Sequence, residues 1–200
     1  MTSARRILAS TVLALCMSLA LAPAAAQPAL LVKPLAERRV AELPAGALYW
    51  RIETVADRAQ AESAAGAWSL VAESAGRTWL FTLGAAGEAT RGATKVAEVG
   101  PIPRVQASRY LLRINDASGP PGSVTSVHSH PGSEAFYVLS GEQSIRGAHD
   151  TLHVQACHVE AGHGADMAMQ VSSSGTTDLH ALVMFVVDAD KPFSSPATLP

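Results

Sequence analysis

Only two cysteines occur in these 200 residues, and Cys16 lies in an N-terminal stretch that reads as removable. Cys157 is then alone, so the folded chain has no internal disulfide and must be held together by a core. Basic clusters are also missing. Once Arg5 and Arg6 are gone with the leader, 13 Lys+Arg face 17 Asp+Glu, a net charge of −4. Without a basic block, nucleic acid is excluded as a partner. Long apolar runs are confined to Ile7–Ala22, so no second membrane span is expected. No internal repeat or low-complexity tract appears beyond an alanine bias.

The first 26 residues have the three parts of a secretory signal. Arg5-Arg6 is the charged region, Ile7–Ala22 the apolar region, and Ala24-Ala25-Ala26 the small-residue cleavage site before Gln27. A membrane anchor is the alternative, but 16 apolar residues fall short of the roughly 20 that span a bilayer. A lipid attachment at Cys16 is disfavoured, because Leu15 stands where a small residue is needed. The expected location is secreted or periplasmic, with no membrane association after cleavage. About 174 residues then remain, enough for one domain of ordinary size.

Along the remaining chain, residues 27–47 have no clean period. Leu35–Leu43 could form one or two helical turns, and the segment before it reads as a loose arm. LYWRIETV (48–55) is β-branched and aromatic, as in a strand. Alanine-rich 56–67 favours a short helix, and WSLVAE and RTWLFTL (68–83) flank a Ser-Ala-Gly turn. Four glycines and two prolines in 84–104 predict a long connection with one short strand at most.

From 105 onward the pattern is regular. Strands are expected at 109–115, 124–130, 134–140, 151–162 (two short ones), 167–173 and 178–188, separated by Gly, Pro, Ser and Asn signals. That spacing indicates an all-β sandwich or barrel and not βαβ units. EAFYVLS and ALVMFVV are apolar on both faces, as expected for strands covered on two sides.

The chemistry concentrates in GSVTSVHSHPGSEAFYVLSG, residues 122–141. Residues two apart on a strand share a face, so His128 and His130 project the same way. Pro131-Gly132 reverses the chain, and Glu134 can return its carboxylate from the neighbouring strand. Two imidazoles and one carboxylate leave open positions on a metal and suit Zn²⁺, Fe²⁺ or Mn²⁺. The ordinary alternative is a pair of strand histidines at a solvated rim.

Gly122, His128, His130, Glu134 and Gly141 stand at spacings that resemble the first motif of the cupins, G-x5-H-x-H-x3-E-x6-G. The resemblance covers roughly residues 105–190. It implies a double-stranded β-helix, or jelly-roll barrel, with a divalent ion (Mn, Fe, Zn or Ni) bound inside it by His128, His130 and Glu134. By the same resemblance Gly122 and Gly141 are turn positions. The second cupin motif, G-x5-P-x-G-x2-H-x3-N, is degenerate. In CHVEAGHGADMAMQV, aligned on Gly162, its proline, histidine and asparagine positions hold Glu160, Ala165 and Met169. His163, two residues earlier and of the same strand parity, is the candidate fourth ligand, with water as the alternative. His153, His158 and His180 read as hydrogen-bonded core or surface residues, and Cys157 as a buried small residue. Phe136 shares the parity of Glu134, and Met167 and Met169 share an inward face; these three are the expected substrate-side wall.

The domain organisation expected is a signal peptide (1–26), an N-terminal extension packing on the barrel (27–104), the barrel (105–190) and a tail (191–200). Two functions remain: a metal-dependent cupin enzyme acting on a small molecule, or a non-catalytic module that binds a metal or small molecule. Cupins often pair through their sheets, so the resemblance also allows a homodimer.

Overall fold

The computed structural model describes residues 26–200; the expected signal sequence, with Cys16, lies outside these except for Ala26. In chain order the elements are β1 (Leu31–Val40), β2 (Leu48–Val55), α1 (Arg58–Ala64), β3 (Ser69–Ser74), β4 (Arg77–Gly84), β5 (Thr94–Ile102) and β6 (Tyr110–Gly119). There follow β7 (His128–Ser129), β8 (Gly132–Ser140), β9 (Glu142–Arg146), β10 (Thr151–Gln155), β11 (Val159–Glu160), β12 (Gln170–Ser173), β13 (Leu179–Asp188) and β14 (Ser195–Pro196).

One five-stranded sheet, ordered β1-β6-β13-β8-β11, is the centre of the molecule. Its central strands β8 and β13 are long and apolar on both faces because both faces are covered. On one side Leu111, Ala117, Phe136, Val138, Ala181, Val183, Phe185 and Val187 meet Ile145, Val154, Met169 and Val171 from the facing sheet, β10-β9-β12. Isolated bridges from Val124 to Ser172 and from His128 to Met169 extend that second sheet to the 124–129 segment. These two sheets form the barrel, a double-stranded β-helix.

On the other side the alternate residues of the same strands, Leu112, Ile114, Ala135, Tyr137, Leu182, Met184 and Val186, form a second core. They pack on Leu48, Trp50, Ile52, Leu70, Trp79, Phe81 and Leu83 of a four-stranded sheet ordered β3-β4-β2-β5. The helix α1 flanks this sheet, capped by Asp57, whose carboxylate accepts from the Gln60 N–H at 2.8 Å. Trp50 and Trp79 are fully buried between the layers.

Three expectations about the N-terminal half are corrected. Leu35–Leu43 is not helical, and the preceding arm is not loose. Residues 31–40 form β1, paired along its length with β6. The strand is mostly exposed, so it carries no apolar period. What fixes it is the open edge of β6, whose backbone groups need partners. Pro34 sits where the β1–β6 register shifts, the kind of position an edge strand allows a proline. The region 84–104 holds a nine-residue strand, β5, paired with β2 through two register shifts, one of which spans Gly100 and Pro101. In contrast, the 124–130 segment contributes only a two-residue strand, its remainder held by isolated bridges.

Gly122 and Gly141 have φ of +82° and +74°, the left-handed conformation that suits glycine at a turn.

Candidate metal and ligand site

The strand period places the functional side chains. Along β8, Ala135 and Tyr137 face the four-stranded sheet, whereas Glu134, Phe136 and Val138 face the barrel interior. His128 lies on β7. His130 follows it, just before the turn at Pro131, which the Asp188 N–H pins by donating to the Pro131 carbonyl at 3.0 Å. His128, His130, Glu134 and Phe136 all line one cavity of about 240 Å³ inside the barrel. The other walls are mostly apolar: Leu30, Val32, Ala117, Val171, Val183, Phe185 and Phe193. The volume is small for a ligand cavity, which commonly runs from roughly 300 to 1,000 Å³. Such a space suits a small, largely apolar molecule.

Both imidazoles are oriented by the backbone. The Nδ1–H of His128 donates to the Ser126 carbonyl at 2.8 Å, and the Nδ1–H of His130 to the Phe193 carbonyl at 2.6 Å. A carbonyl only accepts, so in both rings Nδ1 carries the proton, and in the neutral imidazole Nε2 is then the nitrogen with a lone pair. The rings stand 5.0 Å apart, centroid to centroid, at 83°. His130 is packed between Phe185 and Phe193, at 4.8 and 4.7 Å. Burial there lowers its pKa to about 4; the Phe193 carbonyl opposes the shift, and the charges of His128 and Arg113 add to it.

Glu134 is 2 % exposed, and its Oε1 has no hydrogen-bond partner. Burial alone raises its pKa to about 8, so at neutral pH the carboxyl is mostly protonated. An unpartnered buried polar atom costs roughly 1–3 kcal/mol and calls for an explanation. A cation beside Glu134 would supply one.

The donor chemistry therefore fits a divalent ion: two imidazoles with free Nε2 atoms, each braced by a backbone carbonyl, and a buried carboxyl lacking a partner. The distances are less complete. Among the described residues, no three His, Cys, Asp or Glu side chains form a group that could hold a metal ion.

The remaining sequence candidates are placed differently. His163 does not line the cavity. Its carbonyl accepts from the Glu134 N–H at 3.4 Å, but its ring turns the other way, with Nε2 3.3 Å from where a Cβ on Gly147 would stand. Met167 is 48 % exposed and so is not a pocket wall. Met169 is buried in the barrel core, paired with His128 through the backbone, but lies outside the cavity lining. Inward parity failed for Met167 because residues 161–168 form a loop in which strand alternation does not apply. His153 bonds Ser144 and Glu142 on the outer face, and His158 is exposed. His180 faces the four-stranded sheet, its Nε2 2.7 Å from Asp116 Oδ2, with the Ser74 hydroxyl 2.5 Å from the same oxygen. Cys157 is exposed, contrary to the buried position expected, because it follows β10 in a turn at φ +66°.

Sequence reasoning missed Asn115, which lines the cavity from β6, and Arg113, two residues before it. A signal was available, since both are polar at alternate positions of the apolar run RYLLRIN. Phe193, in the tail, gave none.

No protein-family model matches the chain, and no curated protein matches it. Solved structures do. A cupin-like protein from Thermotoga maritima is 15 % identical with a TM-score of 0.40, over 44 % of this chain and 65 % of that one. A protein with a double-stranded β-helix domain from Klebsiella pneumoniae is 19 % identical with a TM-score of 0.38, over 44 % and 75 %. A DMSP lyase from Ruegeria pomeroyi is 18 % identical with a TM-score of 0.38, over 43 % of each chain. The chain thus spans less than two thirds of the first and third of these proteins. Its own topology, two facing sheets with His128, His130 and Glu134 lining the space between them, is decisive for architecture. The fold is a double-stranded β-helix barrel. The barrel is built from β1 together with the chain from β6 onward, and β2 to β5 add a third layer that covers its outer face.

Proposed function

We propose that this is an exported cupin that takes a small, largely apolar molecule into its barrel beside a divalent cation held by His128, His130 and Glu134. The supporting observation is the pairing of two carbonyl-braced imidazoles with a buried, partnerless carboxyl on the wall of a single cavity. When bound, such an ion supplies Lewis acidity or a site for activating dioxygen. The chain's own part is to orient both Nε2 atoms, to exclude water with Phe136, Phe185 and Phe193, and to hold a proton on the buried Glu134 carboxyl. Export rests on the tripartite leader read from residues 1–26.

Metal analysis of protein purified without a histidine tag tests the reading. About one ion per chain is expected, with a sharp fall in His128→Ala and in Glu134→Ala. Metal content unchanged by both substitutions would sink it.

A second reading, a metal-free binding module, is favoured by two observations: the His163 ring is turned away, and among the described residues no three donors group for an ion. It predicts that small-molecule binding survives thorough chelation.

A further inference from the structure

The C-terminal tail is built into the site. It is fastened on both sides of Phe193. Upstream, the Ala189 N–H donates to the Arg109 carbonyl at 3.0 Å, and Arg39 Nη1 to the Ala189 carbonyl at 2.9 Å. Asp190 accepts from the Ser108 hydroxyl at 2.7 Å and pairs with Arg109. Downstream, β14 pairs with β7, Ser195 opposite Ser129 and Pro196 opposite His128, and the Ala197 N–H reaches the Val127 carbonyl at 3.2 Å. Between these anchors Phe193 turns into the barrel. Its ring packs on Phe185 at 5.0 Å and beneath the Arg113 guanidinium at 3.8 Å, and Phe193 and Ser194 line the cavity.

We propose that Phe193 is a positioning residue: its backbone carbonyl, held by the anchored tail, fixes His130 as the Nδ1–H tautomer with Nε2 free for a ligand. This goes beyond the proposed metal reading and rests on it only for the identity of that ligand. The chemistry is specific to the carbonyl. A neutral imidazole has two tautomers, and an acceptor 2.6 Å from Nδ1 selects the one that carries its proton there. The partner on the far nitrogen of a metal-binding histidine typically affects affinity by about 10- to 100-fold. Here that partner is supplied by a segment 63 residues away in sequence. A tail that merely covered apolar surface would place side chains over the barrel but would have no need to aim a carbonyl at His130.

The test compares the metal-free full chain with a chain ending at Lys191, using ¹⁵N NMR of the histidine rings, and then measures the zinc affinity of each. The full chain is expected to show His130 solely as the Nδ1–H tautomer. The shortened chain is expected to show a mixture, with zinc affinity lower by tenfold or more. Retention of the pure Nδ1–H signature after truncation would overturn the proposal, as would an Nε2–H signature in the full chain. A tautomer shift on truncation in a protein that binds no zinc would support the positioning role and remove only the metal reading. If the shortened chain does not fold, Phe193→Ala in the full chain decides. That variant keeps the carbonyl and both anchors, so an unchanged His130 signature supports the proposal, and its loss would assign the effect to the ring and overturn it.

Discussion

Gly162 presses against Glu134: a Cβ built on Gly162 would stand 3.0 Å from the Glu134 Cγ and 2.9 Å from the Glu134 carbonyl oxygen. The same atom would come within 2.8 Å of Phe136 Cε2. The glycine that anchors the degenerate second motif is therefore needed for space directly behind the carboxyl. Gly162→Ala must displace backbone or two cavity-lining side chains, an overpacking cost of about 1–3 kcal/mol. Gly122→Ala meets nothing within 4 Å and bears only the strain of its positive φ. Both variants should melt below the parent chain, and NMR should show the Glu134 carboxyl resonances disturbed only in Gly162→Ala.

The pKa shifts of Glu134 and His130 act on stability in opposite directions. Glu134 binds its proton more tightly when folded, with the pKa raised from 4.5 to about 8. It therefore lowers stability as pH rises from 4.5 to 8, by about 1.4 kcal/mol per unit. His130 is lowered from 6.5 to about 4, so it lowers stability as pH falls from 6.5 to 4. Between 4.5 and 6.5 the two effects cancel. For chelator-treated protein, the contribution of this pair is a plateau there, with declining flanks above and below. Glu134→Gln should remove the decline above pH 6.5 and, with the plateau's cancellation gone, leave stability falling continuously from pH 6.5 to 4 through His130. A denaturation series from pH 4 to 8.5 checks this, and an unaltered alkaline flank in the variant would count against a buried, protonated Glu134.

The barrel was legible because its strands obey simple rules. EAFYVLS and ALVMFVV had no polar face, and a strand covered on both sides is the physical reason. The spacing of His128, His130 and Glu134 placed all three on one cavity wall by strand parity alone. Parity stopped working where the chain left the sheet, which is why His163 and Met167 point elsewhere. The strand β1 was hidden because its stability comes from the backbone of β6 and not from its own side chains. Phe193 was hidden for a related reason: its contribution is a carbonyl, and every residue has one.

Trp79 provides the clearest test of how the added layer and the barrel depend on each other. It lies on β4, fully buried, stacked near Phe81 at 6.2 Å and edge-on to Tyr137 of the barrel sheet at 6.1 Å. Its indole N–H donates to the Ser74 carbonyl at 3.0 Å, so truncation leaves both a cavity and an unpaired acceptor. Trp79→Ala should cost about 3–5 kcal/mol. Because Trp79 and Tyr137 belong to one continuous core, the loss should lower the melting temperature of the whole chain in a single transition. A double-mutant cycle with Tyr137→Leu should return a coupling of about 0.5–1.5 kcal/mol for the aromatic pair. Two separate transitions in Trp79→Ala, with the barrel melting at its original temperature, would mean that the four-stranded sheet and the barrel fold independently. The shared core of Leu112, Ile114 and Tyr137 would then be a docking surface, with cooperativity confined to each sheet.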